Sequence, residues 1–317
     1  MTSTAQNQQV LNGPAADGRR QVAIIIPAFN EAPTIASTIQ HLRHEESLVG
    51  LGMLRLIVVD DGSTDDTSRL ATEAGADRVV HHPSNLGLGA AVRTALKTVR
   101  DERASVVVKL DADGQHDASD VARVLRPIIE DEADLVYGDR FAGIEYKMPL
   151  VRRLGNRVFT WLMRRLTGWP LRDSQPGIFA ASAAYLDGFR LPGDYNYTQQ
   201  ILLDAYHRGL RFTHVPVTFR ERTAGQSFVS FRYPFKVARQ ILLLLVSLNP
   251  LRVFVPLGLL FMAVGAGIAF LDVVDFMRTG VGDIIRRPFG VLGFGLFGLQ
   301  TVFFGLLGHL IISGRRD

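Results

Sequence analysis

Two long stretches near the carboxyl end contain no Asp, Glu, Lys or Arg: Val253 to Leu271, and Pro288 to Gly314, the second interrupted only by His309. An α-helix of roughly 20 apolar residues crosses the ~30 Å of bilayer hydrocarbon, whereas core helices of soluble proteins seldom run so far without a charge. Both stretches are therefore expected to be transmembrane helices. Between them Asp272, Asp275 and Asp283 balance Arg278, Arg286 and Arg287. Outside them lie Arg232, Lys236, Arg239 and Arg252 on one side and Arg315 and Arg316 on the other. Because positive charge accumulates on cytoplasmic segments, residues 251–317 are expected to form a hairpin with both ends cytoplasmic, making the chain an integral membrane protein.

The segment before the hairpin, residues 228–250, opens with Phe228, Phe231, Arg232, Tyr233, Phe235, Lys236 and Arg239 and ends at Asn249-Pro250. That pattern suits an amphipathic helix lying in the membrane interface, with its basic residues toward anionic headgroups. Residues 1–20 have no apolar core, which excludes a signal peptide and suggests a disordered arm. The 317 residues include no cysteine, so disulfides, thiolate metal sites and thiolate nucleophiles are excluded. Any metal must rest on carboxylates, amides or histidines.

From Val22 to Val215 a short β-branched run, a turn rich in Gly, Asp or Asn, and an amphipathic stretch recur. Strands are expected at Val22–Pro27, Leu54–Asp60, Arg78–His82, Ser105–Leu110 and Leu135–Gly138. Helices are expected at Pro33–Arg43, Asp65–Glu73, Leu88–Val99 and Ala118–Glu130. Unbroken apolar runs such as Ala23-Ile24-Ile25-Ile26 and Leu56-Ile57-Val58-Val59 imply strands covered on both faces, hence an α/β domain with a mostly parallel sheet. Ligands of such sheets bind beyond the carboxyl ends of the strands.

The polar motifs fall at those ends. The first strand runs into Pro27-Ala28-Phe29-Asn30-Glu31 and the second into Asp60-Asp61-Gly62-Ser63-Thr64-Asp65. Their carboxylates can accept hydrogen bonds from a ribose or a base edge, or the second motif can serve only as a turn and helix cap. Asn85-Leu86-Gly87-Leu88-Gly89-Ala90 opens a helix with small residues, so Gly87 either admits a nucleotide phosphate or allows tight packing on the sheet. Neither a GxGxxG after the first strand nor a GxxxxGK[ST] occurs, so dinucleotide and P-loop cradles are unsupported. The fourth strand ends in Lys109-Leu110-Asp111-Ala112-Asp113-Gly114-Gln115-His116. Asp111 and Asp113 can converge on a hard divalent cation with Gln115 as a further oxygen donor, the alternative being a surface turn.

Together with Gly138-Asp139-Arg140 and Asp173-Ser174-Gln175-Pro176-Gly177, this ordered series resembles the family 2 glycosyltransferases over about Gln21 to Ser227. It is most similar to the dolichyl- and polyprenyl-phosphate mannose or glucose synthases. The resemblance implies a GT-A (Rossmann-like) catalytic domain over 21–227 and a nucleotide diphosphate sugar donor of the GDP-mannose or UDP-glucose type. It also implies Mg²⁺ or Mn²⁺ at Asp111, Asp113 and Gln115, and donor contacts from Pro27, Asn30, Glu31, Asp60, Asp61 and Asp111, with Gly87 added from the helix opening. The acceptor would be polyprenyl or dolichyl phosphate, glycosylated with inversion. Asp173, at the acidic position of the Asp-x-Gln-x-Gly motif, would orient the sugar or assist the acceptor, with Asp113 and Arg140 as its catalytic companions. His116 would contact the diphosphate. Phe179, where relatives often carry Arg or Lys, and Gln200, where many carry Glu, depart from the family pattern.

The basic residues support a phosphorylated acceptor independently. From Arg140 to Arg172 eight Lys and Arg face only Glu145, a local charge of +7 against +4 for the whole chain. On a helix Arg153, Arg157 and Arg164 fall within about 40° of one another, with Leu154, Val158, Leu162 and Leu166 expected on the other side. Such a stripe can face anionic lipid or an acceptor phosphate, with Arg140, Arg153, Arg157 and Arg222 as its ligands. The downstream hairpin makes lipid a more economical partner than nucleic acid; a homo-oligomer is left open. Two other activities compete. A processive polysaccharide synthase usually carries a Gln-x-x-Arg-Trp motif and more spans, both lacking here. A non-catalytic sugar-nucleotide-binding scaffold would fit the Phe179 and Gln200 departures.

Overall fold

The computed structural model describes residues 20–142, 150–191, 197–218, 246, 250–280 and 283–313. The arm at 1–20 (apart from Arg20), Arg222 and nearly all of the expected interfacial segment 228–250 lie outside the described residues. The chain divides into two compact units, Met1–Val229 and Ser230–Asp317.

In the first unit β1 (Gln21–Ala28), β2 (Met53–Asp60), β3 (Arg78–His81), β4 (Val106–Lys109), β5 (Leu135–Asp139), β6 (Phe179–Ser182) and β7 (Phe212–Pro216) form one sheet in the order β3-β2-β1-β4-β6-β5-β7. The helices are α1 (Ile35–His44), α2 (Thr67–Glu73), α3 (Leu88–Asp101), α4 (Ala118–Ile129), α5 (Leu150–Thr167), α6 (Ala183–Leu186) and α7 (Tyr197–His207). Each expected strand and helix up to β5 is present with small shifts at its ends. The apolar runs earn their place: Ile24 to Ile26, Leu56 to Val59 and Val106 to Val108 are essentially inaccessible, so β1, β2 and β4 are covered on both faces. Ala90, Ala91, Ala95, Leu96 and Val99 give α3 a flat buried face. Helix α4 starts at a capping box in which Asp117 accepts from the Ser119 amide and Asp120 from the Asp117 amide.

Strands β1 and β2, β1 and β4, and β2 and β3 pair in parallel. Because chain order reverses direction between β1 and β4, a crevice opens beyond their carboxyl ends, where the motifs begin. Two strands went unread in the sequence. Strand β6, inserted antiparallel between β4 and β5, is the four-residue Phe-Ala-Ala-Ser, whose alanines carry little β-propensity; hydrogen bonding on both sides holds it. Strand β7 pairs in parallel with β5.

Phe179 is fully buried in β6, opposite Lys109 and 6.1 Å from the Tyr137 ring. The departure from the family pattern at this position is therefore a core residue. Gln200 sits half-buried on α7.

In the second unit α8 (Pro250–Thr279) and α9 (Pro288–Ser313) pack against each other. Small residues bring their backbones together: a Cβ on Gly258 would stand 2.6 Å from the Gly298 carbonyl, and one on Gly298 the same distance from that of Gly258. At the connecting end Arg287 pairs with Asp272 at 2.8 Å and Arg286 with Asp275. Both helices are long and apolar enough to cross a membrane.

Candidate active site

The first two strand-end motifs are stitched into one rim. The Asn30 amide donates to Ser63 Oγ and the Thr64 amide to Asn30 Oδ1, both at 2.9 Å. The Glu31 amide donates to Thr67 Oγ1 and the Ala32 amide to Asp65. Asn30 adopts φ 52°, a left-handed conformation that asparagine tolerates better than most residues. It is exposed and Glu31 half-buried, whereas Pro27 is buried within β1.

Asp60 and Asp61 are inward-facing carboxylates, 1% and 3% exposed. Asp60 accepts from the Ser63 amide and Ser68 hydroxyl and lies 3.2 Å from His81 Nδ1. Burial raises its affinity for a proton, but these bonds outweigh it and hold the carboxyl below the usual range. Asp61 accepts from the amides of Leu86 and Gly87 at 3.0 and 2.7 Å and lies 2.7 Å from His82 Nδ1. The negative charge at the start of α3 is thus Asp61 itself, and the Gly87 amide serves it. Gly87 takes φ 96° at that corner.

Beyond β4, Asp111, Asp113 and Gln115 are all half-exposed. The turn is closed by the Gln115 amide donating to Asp113 Oδ1 at 3.1 Å. Among the described residues no three His, Cys, Asp or Glu converge on a metal position, so a cation here would rest on two carboxylates and an amide oxygen. That all-oxygen donor set suits Mg²⁺ or Mn²⁺.

Beneath it lies Lys109, to which the sequence pattern alone assigns no role. Lys109 is completely buried, and its ammonium donates to Asp111 Oδ1 at 2.5 Å and to the Gly177 carbonyl at 2.9 Å, with the Tyr197 ring centroid 5.7 Å away. Burial opposes its charge, but Asp111 and Tyr197 raise its pKa and keep it cationic. The signal was available: a lysine closing an apolar strand, two residues before Asp111 and so on the same face.

The 173–177 loop meets Asp111 from the other side. A Cβ on Gly177 would fall 2.3 Å from His116 Nε2 and 3.2 Å from Asp111 Oδ2, so any side chain here would have to displace His116. His116 sits 3.1 Å from the Thr218 carbonyl through Nδ1, and burial, against the pull of Asp111, pushes its imidazole down to about 4. It is therefore neutral at neutral pH. Asp173 is fully buried: Arg140 Nε lies 2.7 Å from Oδ2, while Asn156 Nδ2 and the Gln175 amide each donate to Oδ1 at 2.9 Å. Arg140 also donates to the Gln175 carbonyl at 2.8 Å. In this state Asp173 braces Arg140 and its own loop instead of facing solvent.

Among the expected site residues, the structure brings together Asp111, Asp173 and Arg140 around the 173–177 loop, with Asp113 and Gln115 on the adjoining turn. Arg153 and Arg157 are exposed on α5, whose inner side reaches the loop through Asn156.

A seven-stranded, mostly parallel sheet with acidic motifs beyond β1, β2 and β4 defines a GT-A-like α/β domain. The chain belongs to glycosyl transferase family 2, whose profile matches residues 23–188, and it is a glycosyltransferase. Glycosyltransferase AglJ of Haloferax volcanii is 33% identical over 303 residues, covering 93% of this chain and 95% of that protein. UDP-N-acetylglucosamine–dolichyl-phosphate N-acetylglucosaminyltransferase of Methanococcus voltae is 32% identical over 183 residues, 52% of this chain and 70% of that protein. Polyprenol monophosphomannose synthase of Mycolicibacterium smegmatis is 30% identical over 222 residues, 67% and 82% respectively. Among solved structures, glucosyl-3-phosphoglycerate synthase from Mycobacterium tuberculosis in complex with Mn²⁺, uridine diphosphate and glucosyl-3-phosphoglycerate matches with a TM-score of 0.56 and 26% identity, over 75% of this chain and 81% of that one. The family and the GT-A architecture expected from the motif series are borne out.

Proposed function

We propose that the protein is a membrane-anchored, inverting hexosyltransferase that moves mannose or glucose from a nucleotide diphosphate sugar to polyprenyl or dolichyl phosphate at the cytoplasmic membrane face. The observation that carries the acceptor is α5. Its sequence holds five arginines and no acid, and Asn156 on its inner side bonds Asp173. Two relatives are named for dolichyl-phosphate and polyprenol substrates, and α8 and α9 supply an anchor.

The rim formed by Pro27, Asn30, Glu31, Asp60, Asp61 and Gly87 binds the nucleoside, with the two buried aspartates holding its shape. A divalent cation, Mg²⁺ or Mn²⁺, held by Asp111, Asp113 and Gln115 would supply positive charge to the departing diphosphate. Asp173 keeps Arg140 extended along the 173–177 loop, so that its guanidinium borders the acceptor phosphate, with Arg153, Arg157 and Arg222 drawing the lipid headgroup in. A phosphate monoester with second pKa near ~6 is already largely dianionic, so no general base is required. Its oxygen bonds to the anomeric carbon from the face opposite the nucleotide. The carbon–oxygen bond to the diphosphate breaks, and the electron pair leaves with the nucleoside diphosphate.

A second reading follows from the phosphoglycerate synthase likeness: a soluble phosphorylated acid as acceptor. Membranes containing the full chain, incubated with radiolabelled nucleotide sugars and each acceptor, separate these. Label in a mild-acid-labile, organic-soluble lipid supports the proposal. Label in a water-soluble phosphoester supports the second reading, label in polymer a processive synthase, and no label with any donor a scaffold. Asp113→Ala should abolish transfer; full turnover in that variant would sink the cation assignment.

A further inference from the structure

The outer side of α5 carries more than the basic stripe expected from sequence. At 100° per residue Leu154, Val158 and Trp161 lie within about 60° of one another, and they are 65%, 39% and 64% exposed. Asn156, Phe159, Met163 and Thr167 form the opposite, buried face. Arg153, Arg157 and Arg164 are exposed along one flank of the apolar ridge, and Arg165 follows Trp161 in line with it. Of the residues expected to lie together on the core side, Leu162 is buried and Leu166 partly so, but Leu154 and Val158 face out. Water gains nothing from this ridge, and no acid on the helix balances the arginines.

We propose that α5 is a bilayer-docking helix. Leu154, Val158 and Trp161 enter the boundary between headgroups and acyl chains, and Arg153, Arg157 and Arg164 engage headgroup phosphates of anionic lipid. A ridge of tryptophan and aliphatic side chains with cations along one flank is the composition of helices that lie in that boundary, where an indole is favoured. The proposal rests on the membrane-anchored reading, which puts a bilayer within the chain's reach. It adds a consequence for the site. The same helix grips the acceptor loop from inside, Asn156 through Asp173 and Thr160 through Ser174 at 3.2 Å, so docking sets Arg140 and its loop at the level of the lipid phosphates.

The protein has two tryptophans, and Trp169 stacks on Phe212 at 4.8 Å. Trp169→Phe therefore leaves Trp161 as sole reporter, and Trp161→Phe is the control. The full-length variants are placed in nanodiscs of phosphatidylcholine and phosphatidylglycerol, with or without brominated acyl chains. The expected result is blue-shifted Trp161 emission, quenched by brominated lipid at least twofold more than Trp169 in the control. Because the chain lacks cysteine, Leu154→Cys carrying a nitroxide is a second, independent probe. It should be accessible to oxygen and shielded from a water-soluble nickel chelate. Unquenched Trp161 in protein retained by the discs, or a label shielded from both reagents, would mean that protein covers the ridge and would overturn docking while leaving anchoring intact. Chain that never enters the discs would overturn the anchored reading and docking with it.

Discussion

Replacing Lys109 by methionine tests the electrostatics of the site floor. The methionine keeps most of the volume and removes the ammonium. Removing one partner of a buried ion pair costs about 3–5 kcal/mol when the remaining charge is sealed from water. Here the two ends differ: the lysine side chain is 0% exposed and that of Asp111 29%, so water recovers part of the carboxylate's loss. The Gly177 carbonyl also loses its donor. A net destabilisation of about 2–3 kcal/mol follows, which for a unit of this size corresponds to roughly 5–10 °C in apparent melting temperature. The sharper consequence concerns cations. If Lys109 balances Asp111, Mn²⁺ with nucleoside diphosphate should narrow the gap between variant and wild type, because the bound ion neutralises the same carboxylate. Asp111→Asn added to Lys109→Met should likewise cost less than it does alone. Thermal unfolding by circular dichroism in detergent, with and without Mn²⁺, reads both. An unchanged gap, together with additive single and double variants, would refute the pairing argument.

Two further outcomes follow from the same geometry. Gly177→Ala places a methyl 2.3 Å from His116 Nε2, an overpacking of about 1–3 kcal/mol; His116→Ala in the same chain should recover part of the lost melting temperature, and failure to do so would place the strain elsewhere. His214, whose Nε2 accepts from the Arg172 amide at 3.0 Å, is pushed below its ordinary pKa by burial. The unfolded chain then takes up a proton before the folded one as pH falls below about 6.5, so stability drops in that window. His214→Gln should flatten part of the decline below about pH 6.5, and an unaltered slope in denaturant titrations would contradict this.

Much of the fold could be read because burial and periodicity agree. Strands β1, β2 and β4 are built on unbroken apolar runs, and the hairpin helices on stretches without charge. The carboxylates beyond those strands marked the site for the same reason, since polar residues that interrupt a buried strand pattern need a task. What escaped depends on long-range contact. Strand β6 has no pattern of its own and exists because β4 and β5 bond it on either side. Asp60, Asp61 and Asp173 read as groups that meet donor or acceptor, yet each is enclosed by side chains or amides of the chain itself, among them partners distant in sequence: His81 for Asp60, Gly87 for Asp61 and Arg140 for Asp173. The outward turn of Leu154 and Val158 could not be read either, because α5 is apolar around most of its circumference and only its packing decides which side is inner.

The central claim is transfer to a lipid phosphate, and a comparison of acceptors tests it most directly. Purified full-length protein in nanodiscs, with its preferred labelled nucleotide sugar and Mn²⁺, is offered polyprenyl phosphate, the corresponding polyprenol, and 3-phosphoglycerate. The account predicts a labelled, mild-acid-labile product from polyprenyl phosphate alone, with no transfer to the neutral alcohol, which must lose a proton that the dianionic phosphate does not carry. Equal transfer to the polyprenol, or preferential labelling of phosphoglycerate, would contradict it.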